Sequence, residues 1–238
     1  MVGDQMEGNL VLAADSAFFS TLKAPARFYL VRHGESEANA RLVIQGHRDF
    51  PLDEAGRRQA RAAADWLAGE KASRIVCSPL SRAAETARII AAATGARGPD
   101  VDPDLIEIDT GSFSGISLEE AKLRFPREYA AFEGESWEGV PDAERAAALY
   151  ERAMRVWTRL KARAESGEGA IVAVSHGGFI QWLVRATFGC RSWMPLFVTG
   201  NCGVFELIVE PVPSRGSAYL LWKRINFQAV PSEVKALF

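Results

Sequence analysis

The sequence has almost no cysteine, little histidine, no long apolar run and no surplus of charge, and each shortage closes off a class of protein. Its three cysteines, Cys77, Cys190 and Cys202, form no CxxC pair and no ligand-like spacing. That excludes a disulfide framework and a structural zinc site, and it fits a reducing, cytoplasmic setting. With 28 basic against 30 acidic side chains the net charge is −2. No global field draws nucleic acid or an anionic membrane, so any anion recognition is local. No apolar stretch approaches the roughly 20 residues of a spanning helix. Asp4 and Glu7 stand where a secretion leader carries basic residues, so neither secretion nor membrane insertion is expected.

What is present is an ordinary globular composition: 238 residues, 48% apolar and 24% charged, long enough to bury a full core. Residues 1–26 read as an N-terminal extension that docks on the body or frays, in preference to a membrane or partner anchor. Leu10, Ala14, Phe18 and Leu22 recur at a spacing that would suit a short amphipathic helix. From residue 27 to the end the chain reads as a single domain. "RFYLV" (27–31), "RIVC" (74–77) and "AIVAVS" (170–175) are short and apolar on successive positions, as strands covered on both faces are. Each is followed by a turn and a helical stretch, the signature of βα units around a parallel sheet.

The spacing predicts helices over 54–68, capped by Asp53, and over 79–94, with Ser78 as cap acceptor and Pro79 in the first turn. It predicts two more over 117–132 and 142–165, and a last one opening at "HGGFIQWLVRATFG". "NCGVFELIVE" and "AYLLWKRIN" across "PVPSRG" predict a hairpin that places an antiparallel strand at the sheet edge.

In such a sheet, ligands bind where strands end and helices begin. Arg32 and His33 follow the first strand, Arg82 lies just after the second, and His176 follows "AIVAVS". Two of only three histidines and two arginines thus meet one rim. Arginine forks and the free amides of "HGG" bind phosphoryl oxygens. A neutral imidazole there can accept a phosphoryl group and so split a hard displacement into two easier ones. His33 is the nucleophile in this reading, and His176 stabilises charge on the equatorial oxygens. Glu107, after an apolar Leu-Ile pair and before a glycine-rich turn, is the carboxylic acid that gives and later takes a proton. Burial there is expected to raise its pKa.

Together, "LVRHGESEAN", "QGHRDFPLDEAGRRQA", "VCSPLSRAAETA", "LIEIDTGSFSG" and "AVSHGGFI", in that order, closely resemble the histidine phosphatase superfamily, or phosphoglycerate mutase-like family, over 27–228. The resemblance implies a three-layer αβα sandwich with a mostly parallel sheet and a cap segment at about 108–145. It implies that His33 is phosphorylated and that Arg32, Arg82 and His176 form the phosphate pocket, with Gly177 beside it. Asn39 and Gln45 line the same pocket and Glu107 is the proton donor. No metal or organic cofactor is implied. The short segment between Glu107 and His176 resembles the phosphatase branch, as in broad-specificity phosphatases and the fructose-2,6-bisphosphatase domain. The Gly-Glu-Ser of "FEGESWEGVPDAERAA" is displaced from its proline, so the cap rim is expected to be built differently.

The function implied is a histidine acid phosphatase-type phosphomonoesterase acting on small phosphate esters. The alternatives are a cofactor-dependent phosphoglycerate mutase and a non-catalytic phosphate- or phosphoprotein-binding module. Oligomeric state, a homodimer included, stays open. Several other residues read more blandly: His47 as a solvated loop residue, Trp137 as cap core, Asp109 and Ser112 as turn formers. Arg41, Arg48, Arg124 and Arg127 read mostly as a solvated charged face.

Overall fold

Strands rich in Val and Ile set the frame, because each must be covered on both faces and only helices on both sides can do so. The structure, a computed structural model, describes residues 13–194 and 196–230. Its strands are β1 (Ala26–Arg32), β2 (Arg74–Cys77), β3 (Arg97–Val101), β4 (Ala170–Ser175), β5 (Val204–Val212) and β6 (Ser217–Phe227). The helices are α1 (Glu37–Ala40), α2 (Glu54–Gly69), α3 (Ser81–Thr94), α4 (Leu118–Arg124), α5 (Pro126–Glu135), α6 (Ala146–Glu165) and α7 (Gly177–Thr187). The sheet runs β3-β2-β4-β1-β5-β6. β1 to β4 are mutually parallel, β5 is antiparallel to β1, and β6 closes the edge antiparallel to β5.

Alternate strand residues face opposite helical layers. Phe28, Leu30, Ile171 and Ala173 pack with Trp157 of α6 and Phe179 and Leu183 of α7. Tyr29, Val31, Val172 and Val174 pack with Leu67 of α2 and Ala83, Ala87 and Ile90 of α3. This is the expected three-layer αβα sandwich. No helix among the described residues is long and apolar enough to cross a membrane.

Four expectations are corrected. β3 was not expected: "RGPDV" has no apolar alternation because it is an exposed edge strand, where a proline without a donor N–H is tolerated. The expected helix over 117–132 is broken at Phe125, since Pro126 cannot continue α4 and instead opens α5. α3 begins at Ser81 with Leu80 as its cap residue, so Ser78 is not the helix cap. The segment from 13 to 25 forms turns, not a helix; Leu10 lies outside the described residues. Within that segment Ala14, Phe19 and Leu22 are buried, and Phe19 stands 5.7 Å, edge-on, from Trp157.

Between β4 and β1 the chain reverses its direction of travel. β1 leads through α2 to β2 on one side, and β4 leads through α7 to β5 on the other. A crevice therefore opens at the C-terminal ends of these two strands.

Candidate active site

Sheet register alone aligns three polar residues across that crevice. Arg32 pairs with Ser175 between β1 and β4, and Cys77 pairs with Val174 between β2 and β4. His33, His176 and Ser78 each follow these positions and so stand side by side. The two imidazole rings are 5.0 Å apart, edge to face.

His33 is 1% exposed and its backbone is held on both sides, its amide donating to Ser175 O at 3.0 Å and its carbonyl accepting from Cys202 N at 3.2 Å. Nδ1 lies 2.6 Å from the carbonyl oxygen of Gly34. A carbonyl only accepts, so Nδ1 carries the ring proton and Nε2 keeps its lone pair. Arg82 Nε donates to that lone pair at 3.2 Å.

Arg82 is fully buried, and its other nitrogens donate to Arg48 O at 2.9 Å and Gly46 O at 3.1 Å. Burial pushes its guanidinium down to about 10, so it stays charged at neutral pH. Arg32 is buried too and lowered by burial; one of its terminal nitrogens donates to Thr199 O, while its Nε has no hydrogen-bond partner. Two cations taken out of water beside a neutral ring form a site that an anion would complete. Gly177 makes room for Arg32: a Cβ there would sit 3.2 Å from Arg32 Nε and 2.8 Å from Thr199 Oγ1.

His176 Nε2 is 2.7 Å from Ser78 Oγ, and its buried Nδ1 has no partner. Leu80 N already donates to Ser78 Oγ at 3.2 Å. The hydroxyl keeps its proton and a second lone pair, so it can give to Nε2 or accept from it.

Both histidines are held well below the ordinary 6.5, by burial first, then by Arg82; Arg32 adds to the shift in each. The consequence for stability has a definite sign. The unfolded chain takes up protons below pH 6.5 that the native rings refuse, so stability is complete above that pH and is lost as pH falls below it. The expected fall approaches about 1.4 kcal/mol per pH unit for each ring. Denaturant melts at pH 7.5 and 5.5 check this, and equal unfolding free energies would contradict it.

Glu107 sits on the opposite wall, half-buried where burial was expected. Its Oε1 accepts from Ile108 N and Phe179 N, both at 2.9 Å, and its Oε2 from Gly178 N at 3.3 Å. The opening turn of α7 thus holds the carboxylate. A Cβ on Gly178 would fall 2.7 Å from Oε1, so glycine is required there for the contact.

The main chain that carries Glu107 is gripped from behind. Arg152 of α6 donates to Asp104 O (2.9 Å), Ile106 O (2.7 Å) and Glu107 O (3.3 Å), and forks onto Glu144 at 2.8 and 2.6 Å. Its guanidinium also lies 3.9 Å over the Phe179 ring. His47, read as a solvated loop residue, is exposed but its Nε2 reaches Glu107 O at 2.9 Å. The loop around it therefore ties the Arg82 contacts to the segment that carries Glu107.

Asn39 and Gln45 reach the crevice through Ser36, whose hydroxyl lies 3.0 Å from Asn39 Oδ1 and 2.9 Å from Gln45 Oε1. Asn201 links Asn39 Oδ1 at 3.3 Å to His33 O at 3.5 Å. A cavity of about 440 Å³ opens above, with Arg32, His33, Asn39, Gln45 and Glu107 on its wall. Arg82, His176 and Gly177 lie outside that wall; Arg82 and His176 contact the His33 ring directly. Trp137 is cap core, buried among Phe113, Phe132 and Val140, and also touches the cavity. Arg41 lines the cavity, whereas Arg124 is spent on Glu120. Among the described residues no group of three or more His, Cys, Asp or Glu could hold a metal.

Ser78, Arg152, His47 as a contact and Asn201 were missed. Only Arg152 left a signal: it falls on the buried stripe of Leu149, Ala153, Val156 and Leu160, where an arginine needs partners.

A family model described as histidine phosphatase superfamily (branch 1) matches residues 28–213. Over 185 residues the chain is 40% identical to phosphoglycerate mutase-like protein 4 of Arabidopsis thaliana, covering 76% of this chain and 80% of that one. It is 29% identical to a glucosyl-3-phosphoglycerate phosphatase of Mycolicibacterium vanbaalenii, over 76% of this chain and 83% of that one. A solved mycobacterial glucosyl-3-phosphoglycerate phosphatase in complex with VO3 superimposes with a TM-score of 0.72 at 27% identity, covering 84% of this chain and 99% of that one.

Proposed function

Because the chain belongs to the histidine phosphatase superfamily (branch 1), we propose that it is a phosphoric monoester hydrolase working through a phosphohistidine on His33. One observation carries the reading: His33 keeps its Nε2 lone pair, through the Nδ1 bond to Gly34, between two buried arginines. Relatives named as phosphatases support the same reaction type.

In the first step Nε2 attacks phosphorus, an N–P bond forms and the ester P–O bond breaks. Arg32, Arg82 and His176 receive the charge of the transferring oxygens, while Asn39 and Gln45 border them. Glu107 gives its proton to the leaving alkoxide. In the second step water attacks, Glu107 takes a proton from it, the N–P bond breaks and inorganic phosphate leaves. The lowered pKa of His33 keeps the nucleophile neutral below pH 6.5, which suits an acid phosphatase.

Rapid alkaline quenching during turnover of p-nitrophenyl phosphate, followed by peptide mass spectrometry, tests the intermediate. A phosphoryl group on the peptide carrying His33 is expected. Steady turnover with that peptide unmodified at every quench time would refute covalent catalysis.

A further inference from the structure

The part of the cavity beyond His33 differs in chemistry from its floor. Val43, Ile44, Ile108, Leu118 and Trp137 line it, and Leu42 stands at its mouth. The charged groups on the wall are Arg32, Arg41, Glu107 and Glu119. Under the hydrolase reading, on which this inference rests, Arg32 serves the phosphoryl group. A second anion on the substrate would then meet two carboxylates and one rim cation, Arg41, whose Nε is already turned to Glu37 O at 3.1 Å. Such a group would be desolvated without an adequate partner.

Leu42 adds an independent observation. It is 52% exposed and its φ is 56°, in the left-handed region that a leucine enters only under strain. Neither feature helps the fold. The turn is locked around it, with Leu42 N on Asn39 O at 3.1 Å, Val43 N on Ala38 O at 2.9 Å and Ile44 N on Ile116 O at 2.9 Å. Those bonds hold an apolar side chain at the cavity mouth, facing the water it would leave when a substrate enters.

We propose that the preferred substrates are phosphate monoesters of alcohols carrying an apolar, ring-sized group, and that Leu42 is a specificity-determining residue for them. Shape alone does not dictate this, since a cavity of about 440 Å³ would admit smaller polyanions. The charge census and the apolar wall select the class.

The test compares kcat/KM for phosphate release from 2-(1-naphthyl)ethyl phosphate, ethyl phosphate and 3-phosphoglycerate, whose leaving groups are all alkoxides. The naphthyl ester is expected to exceed both others by about tenfold or more, the scale on which apolar pockets discriminate. In Leu42→Asn, whose side chain suits a positive φ, the thermal midpoint is expected to hold or rise while the naphthyl-to-ethyl ratio falls about tenfold. An unchanged ratio would remove Leu42 from specificity. Equal or faster hydrolysis of 3-phosphoglycerate would overturn the substrate class and leave the hydrolase intact. Isomerisation of 3-phosphoglycerate outpacing all hydrolysis, or no phosphate release from any ester, would overturn the hydrolase reading itself.

Discussion

His33→Ala is expected to lower kcat/KM for p-nitrophenyl phosphate by 10³-fold or more, on the order of the loss seen when a covalent nucleophile is removed. The arginines would still bind the phosphoryl group, so KM or the affinity for inorganic phosphate is expected to change far less than kcat. The fold is expected to survive. The imidazole contributes a bond to Gly34 O and a contact to Arg82, while the strand is anchored by backbone bonds to Ser175 and Cys202 that alanine retains. A native circular dichroism spectrum with turnover within tenfold of wild type would sink the nucleophile assignment. Removing the ring also removes one of the two histidines that make stability fall with acid, so the variant's loss between pH 7.5 and 5.5 is expected to shrink to the share of His176.

The second large effect is expected at Arg152, a positioning residue that acts through Glu107. Arg152→Met leaves the Glu144 carboxylate without its fork and the Asp104 and Ile106 carbonyls without their donor, while the Glu107 carbonyl keeps only His47. Breaking one side of a buried pair costs about 3–5 kcal/mol, so the thermal midpoint falls. A stability loss alone would not separate structure from catalysis, and the leaving group does. Under the proposed mechanism an alkoxide takes its proton from Glu107, whereas p-nitrophenolate departs without much help. In Arg152→Lys, which keeps the charge but loses the fork, kcat for ethyl phosphate is expected to fall roughly 10²-fold, the scale of a misplaced catalytic group. For p-nitrophenyl phosphate the fall should stay within about tenfold, and Glu107→Gln should reproduce the same split. Equal losses on both esters would assign Arg152 a purely structural part.

Much of this was legible from the chain. "RFYLV", "RIVC" and "AIVAVS" are strands within a residue of their expected bounds, because a strand buried on both faces leaves an unbroken apolar run. β3 left no such trace, as its side chains face solvent. Arg32, His33, Arg82, Glu107 and His176 do come together, since each follows or flanks an element whose end lies on the same crevice. Ser78 was read as a helix cap because the sequence shows only that a serine precedes Pro79. Its partner, His176, is distant in the chain and adjacent only through the β2–β4 register.

By itself, the sequence determined which side chains stand at strand ends, the order of the βα units and the apolar wall that became the core. These follow from local period, caps and turns, which a residue's near neighbours dictate. Only the tertiary structure decided which nitrogen of His33 is unprotonated, that Ser78 meets His176, that Arg152 grips the segment carrying Glu107, and that Leu42 is held out at the cavity mouth. Each of those depends on hydrogen bonds or packing between residues brought together by sheet order and helix docking. A pattern of neighbours along the chain carries no information about the direction of a ring nitrogen or a fork. Burial then turns those directions into chemistry, since the withdrawal of water holds both histidines neutral and leaves two arginine charges beside them.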